Sequence, residues 1–345
     1  MTIDDLRKIR LYRQYLTCKT DKLTVCRNLN GIQAQFMINV LYSLMNRCNE
    51  KISAEYFGDG LVKNWTIRGT VHAFAEEDLP IFCHDENILH SHCWEDTYDN
   101  DFLWISGVRK EYFANLIISF VEHGITERDK LKEHCFLAGM TETENSFIFD
   151  SWGGLLRQLC ERGFLCYQVQ EKKEFKLCPQ FSPMSTEEAE LEKAQRYFLN
   201  IAPSTLKDTS YYFGWTQTKV KAIMNKLPLK HFNVEGKDYF YLGTINNDYP
   251  DIPHCILLAG FDQLMLGYQK TESIFLPKDY LRGIFNLTGI VMSPILLDGR
   301  VVGRWRKKSN KITYTMFEKV GDHEKGYILE GMETLFDNIK NVEWS

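Results

Sequence analysis

Two short stretches hold the residue types best suited to chemistry. One is Asn30-Gly31-Ile32-Gln33-Ala34-Gln35-Phe36, and the other is Trp65-Thr66-Ile67-Arg68-Gly69-Thr70-Val71-His72. A glutamine amide offers a carbonyl acceptor and two N–H donors but cannot take up a proton as a carboxylate does. Gln33 and Gln35 could therefore orient a water without deprotonating it strongly. Residues two apart on a regular helix point about 200° apart, so the pair can share a water only if part of the motif lies on irregular backbone ahead of the helix. Asn30-Gly31 permits that. The competing assignment is a buried structural amide at Gln33 and a solvated residue at Gln35. In the second stretch, strand alternation would put Arg68, Thr70 and His72 on one face with Thr66. Such a face could line a pocket or touch phosphate; equally, Arg68 could pair with an acid and His72 be a satisfied core histidine. Trp65 reads as core.

Around these stretches the hydrophobic periodicity predicts a helix from about Asp4 to Thr17, burying Leu6, Ile9, Tyr12, Arg13 and Leu16. A second amphipathic helix carries Ile32, Phe36, Val40 and Leu44 in every fourth position. An alternating strand over Trp65 to Phe74 and a helical segment from Glu76 complete a first pass of helices closed by a strand or hairpin, the ingredients of a winged helix-turn-helix. A second pass has helices over Glu111 to Glu122, through His134 and over Asp150 to Arg162. A capping box is expected at Thr126 to Asp129, and a hairpin at Phe164 to Val169 with Glu174 to Leu177. A third has helices at Thr186 to Asn200, after Pro203 and over Trp215 to Leu227, then strands near Phe232 and Tyr239. Beyond Pro253 the pattern becomes β-rich, with an Asp298-Gly299 hairpin turn and a closing helix from about Tyr327 to Ile339. The expected fold class is α+β: tandem winged units over 1–80, 81–180 and 181–250, then a small β-barrel-like domain over 251–345.

The bulk properties narrow the function classes. A chain of 345 residues with 44% hydrophobic residues supports several compact units, and its mean hydropathy of -0.31 and lack of a long apolar run exclude a membrane-spanning helix. The acidic N-terminus Met-Thr-Ile-Asp-Asp does not resemble a signal sequence, and ten singly spaced cysteines fit reduced thiols, so a soluble, cytoplasmic protein is expected. The net charge is -5, yet it is unevenly distributed. Arg7 to Arg27 holds seven basic residues against one acid, and Arg300 to Lys311 holds six (Arg300, Arg304, Arg306, Lys307, Lys308, Lys311) against none. Glu76 to Asp101 holds nine acids and no Lys or Arg. Such polarisation can present a basic face to a phosphate backbone, although charge runs are commonly just solvated faces. Cys83, His84, His90, His92 and Cys93 match no standard zinc spacing, and no phosphate-binding Gly-rich loop or Ser-His-Asp signature occurs.

Five segments together resemble one family. They are Gly31-Ile32-Gln33-Ala34-Gln35; Trp65 to His72; Ala202-Pro203-Ser204-Thr205-Leu206-Lys207-Asp208; Leu257 to Tyr268, which contains Gly260-Phe261-Asp262; and Asp298-Gly299-Arg300-Val301-Val302-Gly303-Arg304-Trp305. In order and spacing they are similar to the winged-helix DNA glycosylases of the AlkZ and YcaQ type, helix-turn-helix proteins with a C-terminal β-barrel. The resemblance covers nearly the whole chain. It implies hydrolysis of the glycosidic bond of alkylated purines substituted at N7, an association with unhooking of interstrand crosslinks, and a catalytic motif of Gln, an apolar residue, then Gln or Asp, matched here by Gln33-Ala34-Gln35. Where the family prefers Gly-Pro-Ala-Thr this chain has Ala202-Pro203-Ser204-Thr205, and Gly260 stands where Pro or another residue is common; these departures bear on loop conformation more than on chemistry.

The implied substrate suits the implied catalyst, because an N7-alkylated purine already carries positive charge and leaves readily, so a well-placed water suffices. The expectation is a monofunctional glycosylase with catalytic Gln33 and Gln35 and pocket candidates Arg68, Thr70 and His72. The basic hairpin from Arg300 to Lys311 would contact DNA. No metal or organic cofactor and no membrane contact are expected, and the partner is double-stranded DNA containing alkylated purines, bound by a monomer. The alternative is a non-enzymatic winged-helix protein that binds DNA as a regulator or damage sensor.

Overall fold

The computed structural model describes residues 1–53, 55, 57–85, 88–99, 101–246, 248–337 and 339–345. The fold is mixed α+β. It contains two compact units: Met1–Phe57 together with Leu191–Ser345, and Gly58–Glu190.

In the first unit the N-terminal helix, Ile3–Arg13, starts at a capping box between Thr2 and Asp5. It stops short of Thr17, and Tyr15 takes a left-handed φ of 63°. Leu6, Ile9 and Leu11 are buried as helical spacing dictates, while Tyr12 is exposed. The basic run from Arg7 to Arg27 is not one outward face. Arg10 and Arg13 are buried: Arg10 donates through Nε to the Pro203 carbonyl at 2.9 Å and lies 3.7 Å from the Tyr268 ring centroid, and Arg13 donates to the Phe198 carbonyl at 3.0 Å. A guanidinium presents several donors in a rigid fork, so it can serve as an internal staple between carbonyls.

The Thr186–Asn200 helix appears where the pattern put it. Leu206–Phe213 follows, opened by a capping box between Thr205 and Asp208 and ended by Gly214 in the left-handed region. Helix Gln217–Met224 and a hairpin of Lys230–Val234 with Lys237–Tyr241 come next.

The C-terminal sheet runs in the order Cys255–Leu257, Ser293–Leu297, Arg300–Lys308, Lys311–Met316, Asn341–Trp344, the last pair parallel and the others antiparallel. It is an open sheet among the described residues, which corrects the expectation of a barrel-like domain. Helix Asp322–Leu335 lays Ile328, Met332 and Leu335 onto the same apolar cluster as Leu257, Ile295, Trp305 and Tyr314. That face is therefore buried by a helix and need not close on itself. The closing helix begins earlier than Tyr327, and the parallel edge strand after it was not expected.

The second unit packs helices Gly107–Glu122, Arg128–Leu137, Glu142–Ile148 and Gly154–Glu161 around Phe113, Ile117, Leu131, Ile148, Leu155 and Leu159. Its strands run Val71–Ala75, Leu61–Trp65, Leu165–Tyr167, Phe175–Leu177. The expected box at Thr126 to Asp129 does not form, because the N-cap is Glu127 and its side chain makes no capping bond; the box in this unit joins Thr141 and Glu144. A separate hairpin, Thr97–Asp99 with Phe102–Ile105, lies in the acidic stretch.

One ion pair organises the first unit. Arg47, at the C-terminal end of helix Met37–Arg47, donates bidentately to Asp262 at 2.8 and 2.7 Å, with both side chains fully buried. Arg47 also donates to the carbonyls of Gln14 and Ser43 and to the Ser43 hydroxyl, and Asp262 accepts from Leu264 N–H. Removing one member of such a pair leaves an uncompensated buried charge, at a cost of about 3–5 kcal/mol. Asp262→Leu is therefore expected to lose about that much stability in urea unfolding, and the double variant Arg47→Met/Asp262→Leu to lose less than the single one. A single-variant loss below about 1 kcal/mol would show that the pair is dispensable.

Candidate active site

The Gln33-Ala34-Gln35 motif sits between two helices and belongs to neither. Helix Lys22–Asn28 ends in a double-bonded stop: Gly31 N–H donates to the Cys26 carbonyl at 2.7 Å and Asn30 N–H to the Arg27 carbonyl at 3.2 Å. Asn30 and Gly31 take left-handed φ values of 56° and 81°. This is the Schellman arrangement, for which Asn and Gly are the residues with the least steric cost. Ile32–Gln33 then runs extended, Gln35 and Phe36 bend, and helix Met37–Arg47 starts without a side-chain cap. The two glutamines are thus off regular helical geometry, as a shared water requires.

Buried contacts hold the stop in place. Gln263 donates through Nε2 to the Leu29 carbonyl at 3.0 Å and to the Tyr212 hydroxyl at 2.9 Å, and Asn30 donates through Nδ2 to the Lys193 carbonyl at 2.9 Å. From the other side, the Gly260-Phe261-Asp262 segment follows the first turns of helix Met37–Arg47. Phe261 packs on Phe36 with ring centroids 6.0 Å apart, and a Cβ at position 260 would lie 2.9 Å from the Asn39 amide nitrogen. Glycine at 260 thus leaves room for Asn39. Of the segments that resemble the family, Leu257–Tyr268 works here as a support for the residues flanking the glutamine motif.

Gln33 is 6% exposed and Ala34 fully buried, whereas Gln35 is exposed. Among the described residues neither glutamine side chain makes a hydrogen bond or ion pair. Neither amide atom of Gln33 is among the buried polar atoms left without a partner, so the small exposed part of this residue includes its amide, which is open to a water. A largely buried Gln33 beside an exposed Gln35 is also the pattern of the competing structural assignment. Two open cavities of about 440 Å³ lie in this unit, and neither is lined by Gln33 or Gln35.

The Trp65–His72 stretch belongs to the second unit and is not one alternating strand. Leu61–Trp65 turns back through a 3-10 turn at Ile67–Gly69 and pairs with Val71–Ala75, Trp65 opposite Val71. Arg68 occupies the left-handed region at φ 58°, so its side chain does not share a strand face with His72. Thr70 spends its hydroxyl on the Ile67 carbonyl at 3.0 Å. His72 is buried, with Nδ1 2.7 Å from the Thr66 hydroxyl and 3.2 Å from the Thr70 carbonyl. Burial, reinforced by the Arg68 cation, pushes the His72 pKa down to about 3, against the pull of the Thr70 carbonyl. Trp65 packs against the core under the Arg157 guanidinium, 4.4 Å from its ring centroid.

The basic hairpin has two faces. Val302, Trp305, Ile312 and Tyr314 point into the core, Trp305 donating to the Leu258 carbonyl at 2.8 Å. Gly303 allows the Thr315 carbonyl to approach to 2.7 Å of where a Cβ would lie. On the other face Arg306 and Lys308 are exposed, and Arg304 is half-buried with a bond to the Gly283 carbonyl at 3.2 Å. Arg300 is exposed and lies 4.0 Å from Glu318, Lys311 pairs with Glu343, and Lys307 leans on the Phe336 ring. The Cys83 to Cys93 stretch forms no metal-ligand cluster among the described residues. His90 and His92 instead stand against the Phe164 ring.

The arrangement can be compared with known proteins. The AlkZ-like DNA glycosylase model matches residues 26–316, which includes both glutamines, the Trp65–His72 hairpin and the basic strand. The chain belongs to the AlkZ-like DNA glycosylase family. An interstrand DNA cross-link repair glycosylase of Streptomyces sahachiroi is 22% identical over 333 residues, which span 89% of this chain and 88% of that protein. The solved structure of Streptomyces sahachiroi DNA glycosylase AlkZ superposes with a TM-score of 0.78 at 18% identity, covering 100% of both chains, so the two share a fold. Within the AlkZ-like family frame, what sequence reasoning missed is the supporting set Gln263, Tyr212 and Asn39. Only the Asp262-Gln263 segment itself signalled it.

Because the folded pKa of His72 lies near 3 and its ordinary value is 6.5, the unfolded chain takes up a proton first as pH falls. Stability contributed here is full above pH 6.5 and declines through the window down to about 3, by up to roughly 1.4 kcal/mol per pH unit. Between pH 7.5 and 5.5 the wild type should therefore lose about 1.4 kcal/mol more in urea unfolding than His72→Asn. Equal pH dependence in the two proteins would show that His72 titrates normally.

Proposed function

We propose that this protein is a monofunctional glycosylase that hydrolyses the N-glycosidic bond of N7-alkylated purines in double-stranded DNA, with unhooking of interstrand crosslinks as the same reaction on a tethered base. The observation that carries the reading is the Gln33 side chain, largely buried but with its amide open to water and without a protein partner among the described residues, on extended backbone two residues before exposed Gln35. An N7-alkylated base leaves with its electron pair as a neutral purine, and positive charge develops on the sugar. Gln33 and Gln35 hold a water by their carbonyl oxygens for attack at C1′, and the proton passes to solvent. A carboxylate is unnecessary because little deprotonation is needed before the bond breaks. The name of the Streptomyces sahachiroi relative supports crosslinks as substrates. The successive helix, helix, hairpin passes serve as winged units, and Arg304, Arg306 and Lys308 follow the DNA backbone. Within the second unit, His72 is the neutral buried support of the hairpin turn that carries Arg68 and Thr70. The protein acts in the cytoplasm as a monomer without a metal or organic cofactor.

Release of 7-methylguanine from methylated duplex DNA is the direct assay. Gln33→Ala and Gln35→Ala should each slow single-turnover release by about 100-fold or more while duplex affinity changes less than about twofold. Wild-type rates in both variants would remove the glutamines from the chemistry, and no release by the wild type would favour a non-enzymatic DNA binder. Neutralising Arg306 and Lys308 to Gln should weaken binding and lower the slope of log affinity against log salt by about 0.9 per lost phosphate contact. An unchanged slope would take the hairpin out of the interface.

A further inference from the structure

The start of helix Met37–Arg47 leaves open a side chain that its pattern should bury. Ile32, Phe36, Val40 and Leu44 recur every fourth residue, and Ile32, Val40 and Leu44 are buried, yet Phe36 is 38% exposed. Phe36 follows Gln35 directly and is the N-cap residue of the helix. Phe261 supports its ring, with the two planes inclined at 37° and the centroids 6.0 Å apart, and part of the ring stays open to solvent. An aromatic ring held by one neighbour and otherwise open is a stacking surface for a base.

Asn39 adds a second observation. Its N–H closes the first turn onto the Phe36 carbonyl at 3.1 Å, which brings positions 36 and 39 to one side of the helix. Both then lie along one segment, Phe36 on Phe261 and Asn39 on Gly260. A Cβ at position 260 would stand 2.9 Å from the Asn39 amide nitrogen and 3.0 Å from its oxygen, so the glycine gives the carboxamide its room. Among the described residues the half-buried Asn39 side chain makes no hydrogen bond, and neither of its amide atoms is a buried one left without a partner. The carboxamide therefore keeps a donor and an acceptor open to a ligand.

We propose that Phe36 and Asn39 bind the target purine once it has left the stack, the Phe36 ring lying on the base and the Asn39 carboxamide hydrogen-bonding its Watson–Crick edge. The inference rests on the glycosylase reading above and names the residues that select the base, as distinct from the glutamines that serve attack on the sugar. A carboxamide presents a donor beside an acceptor, which matches the neighbouring O6 and N1–H of a guanine, and an extruded base is read by such edge contacts together with stacking. An N7-alkylated purine is cationic, and a cation is attracted to the face of an aromatic ring, so this pair favours the lesion over the unmodified base.

The test uses the full chain and two duplexes, one carrying 2′-fluoro-7-methylguanosine, which resists hydrolysis, and one carrying 2′-fluoroguanosine at the same position. The measured quantity is the ratio of the two affinities. Wild type should favour the lesion duplex by about tenfold or more. Asn39→Leu, close in size but unable to hydrogen-bond, and Phe36→Leu, apolar but without a stacking face, should each lower that ratio about threefold or more, whereas Phe36→Tyr should keep it. Asn39→Ala, which removes the same groups without filling the space, should match Asn39→Leu, and each variant should melt at the wild-type temperature. A ratio unchanged in the Asn39 variants or in Phe36→Leu, or equal affinities in the wild type, overturns the inference. A ratio that falls in these variants of a protein that releases no base supports the inference and defeats the glycosylase reading alone.

Discussion

The Arg47–Asp262 ion pair is the constraint from which the first unit is built. Fully buried and bidentate, it joins the end of helix Met37–Arg47 to a segment more than two hundred positions later. Two desolvated charges are tolerated only because their remaining donors and acceptors are taken up by the Gln14 carbonyl, Ser43 and Leu264 N–H. With Asp262 fixed, the adjacent residues are fixed too: Phe261 against Phe36, Gly260 against Asn39, and Gln263 on the Leu29 carbonyl. The glutamine motif is therefore gripped on both flanks, by the helix stop before it and the anchored helix after it.

This grip has a chemical consequence. A motif on continuous helix would aim Gln33 and Gln35 apart, and a floppy loop would not hold a water long enough to matter. Extended backbone between two pinned helices avoids both outcomes. The Phe261 segment meets the Phe285–Val291 turn through Val291, and the chain leading into that turn meets the basic hairpin through Gly283 and Arg304. One continuous set of contacts thus links Phe36, beside Gln35 at the start of the anchored helix, to the Phe285–Val291 turn and the cationic strand, all within the first unit.

Local signals in the sequence were good guides to local structure. The Thr205 and Gly214 boundaries, the Asp298-Gly299 turn and the departure of Gln33 and Gln35 from the helix follow from cap chemistry, positive-φ residues and the 200° rule. Where long-range contacts override pattern, the sequence misleads. Arg10 looks like surface charge but is an interior staple, since nothing nearby in the sequence shows the Pro203 carbonyl it reaches; Arg13 lies on the face expected to be buried, but nothing local marks its partner, the Phe198 carbonyl. Alternation over Trp65 to Phe74 hides a tight turn, because Arg68 rather than Gly supplies the first left-handed residue. The barrel-like expectation came with the family resemblance; the closing helix was expected from the pattern, but not that Asp322–Leu335 would cover the apolar face of an open sheet. Asn39 had no local mark as a support of the site, and Gln263 only its place in the Asp262-Gln263 segment.

The central claim is that two amides suffice because the base is already prepared to leave. Its most direct test is the ratio of single-turnover release of 7-methylguanine, which is cationic, to that of hypoxanthine, which is neutral, from otherwise identical duplexes. The account predicts ready release of 7-methylguanine and none detectable of hypoxanthine, with both lesions bound. Comparable release of the two would mean that this site activates its leaving group or its water strongly, which Gln33 and Gln35 cannot do, and would contradict the account.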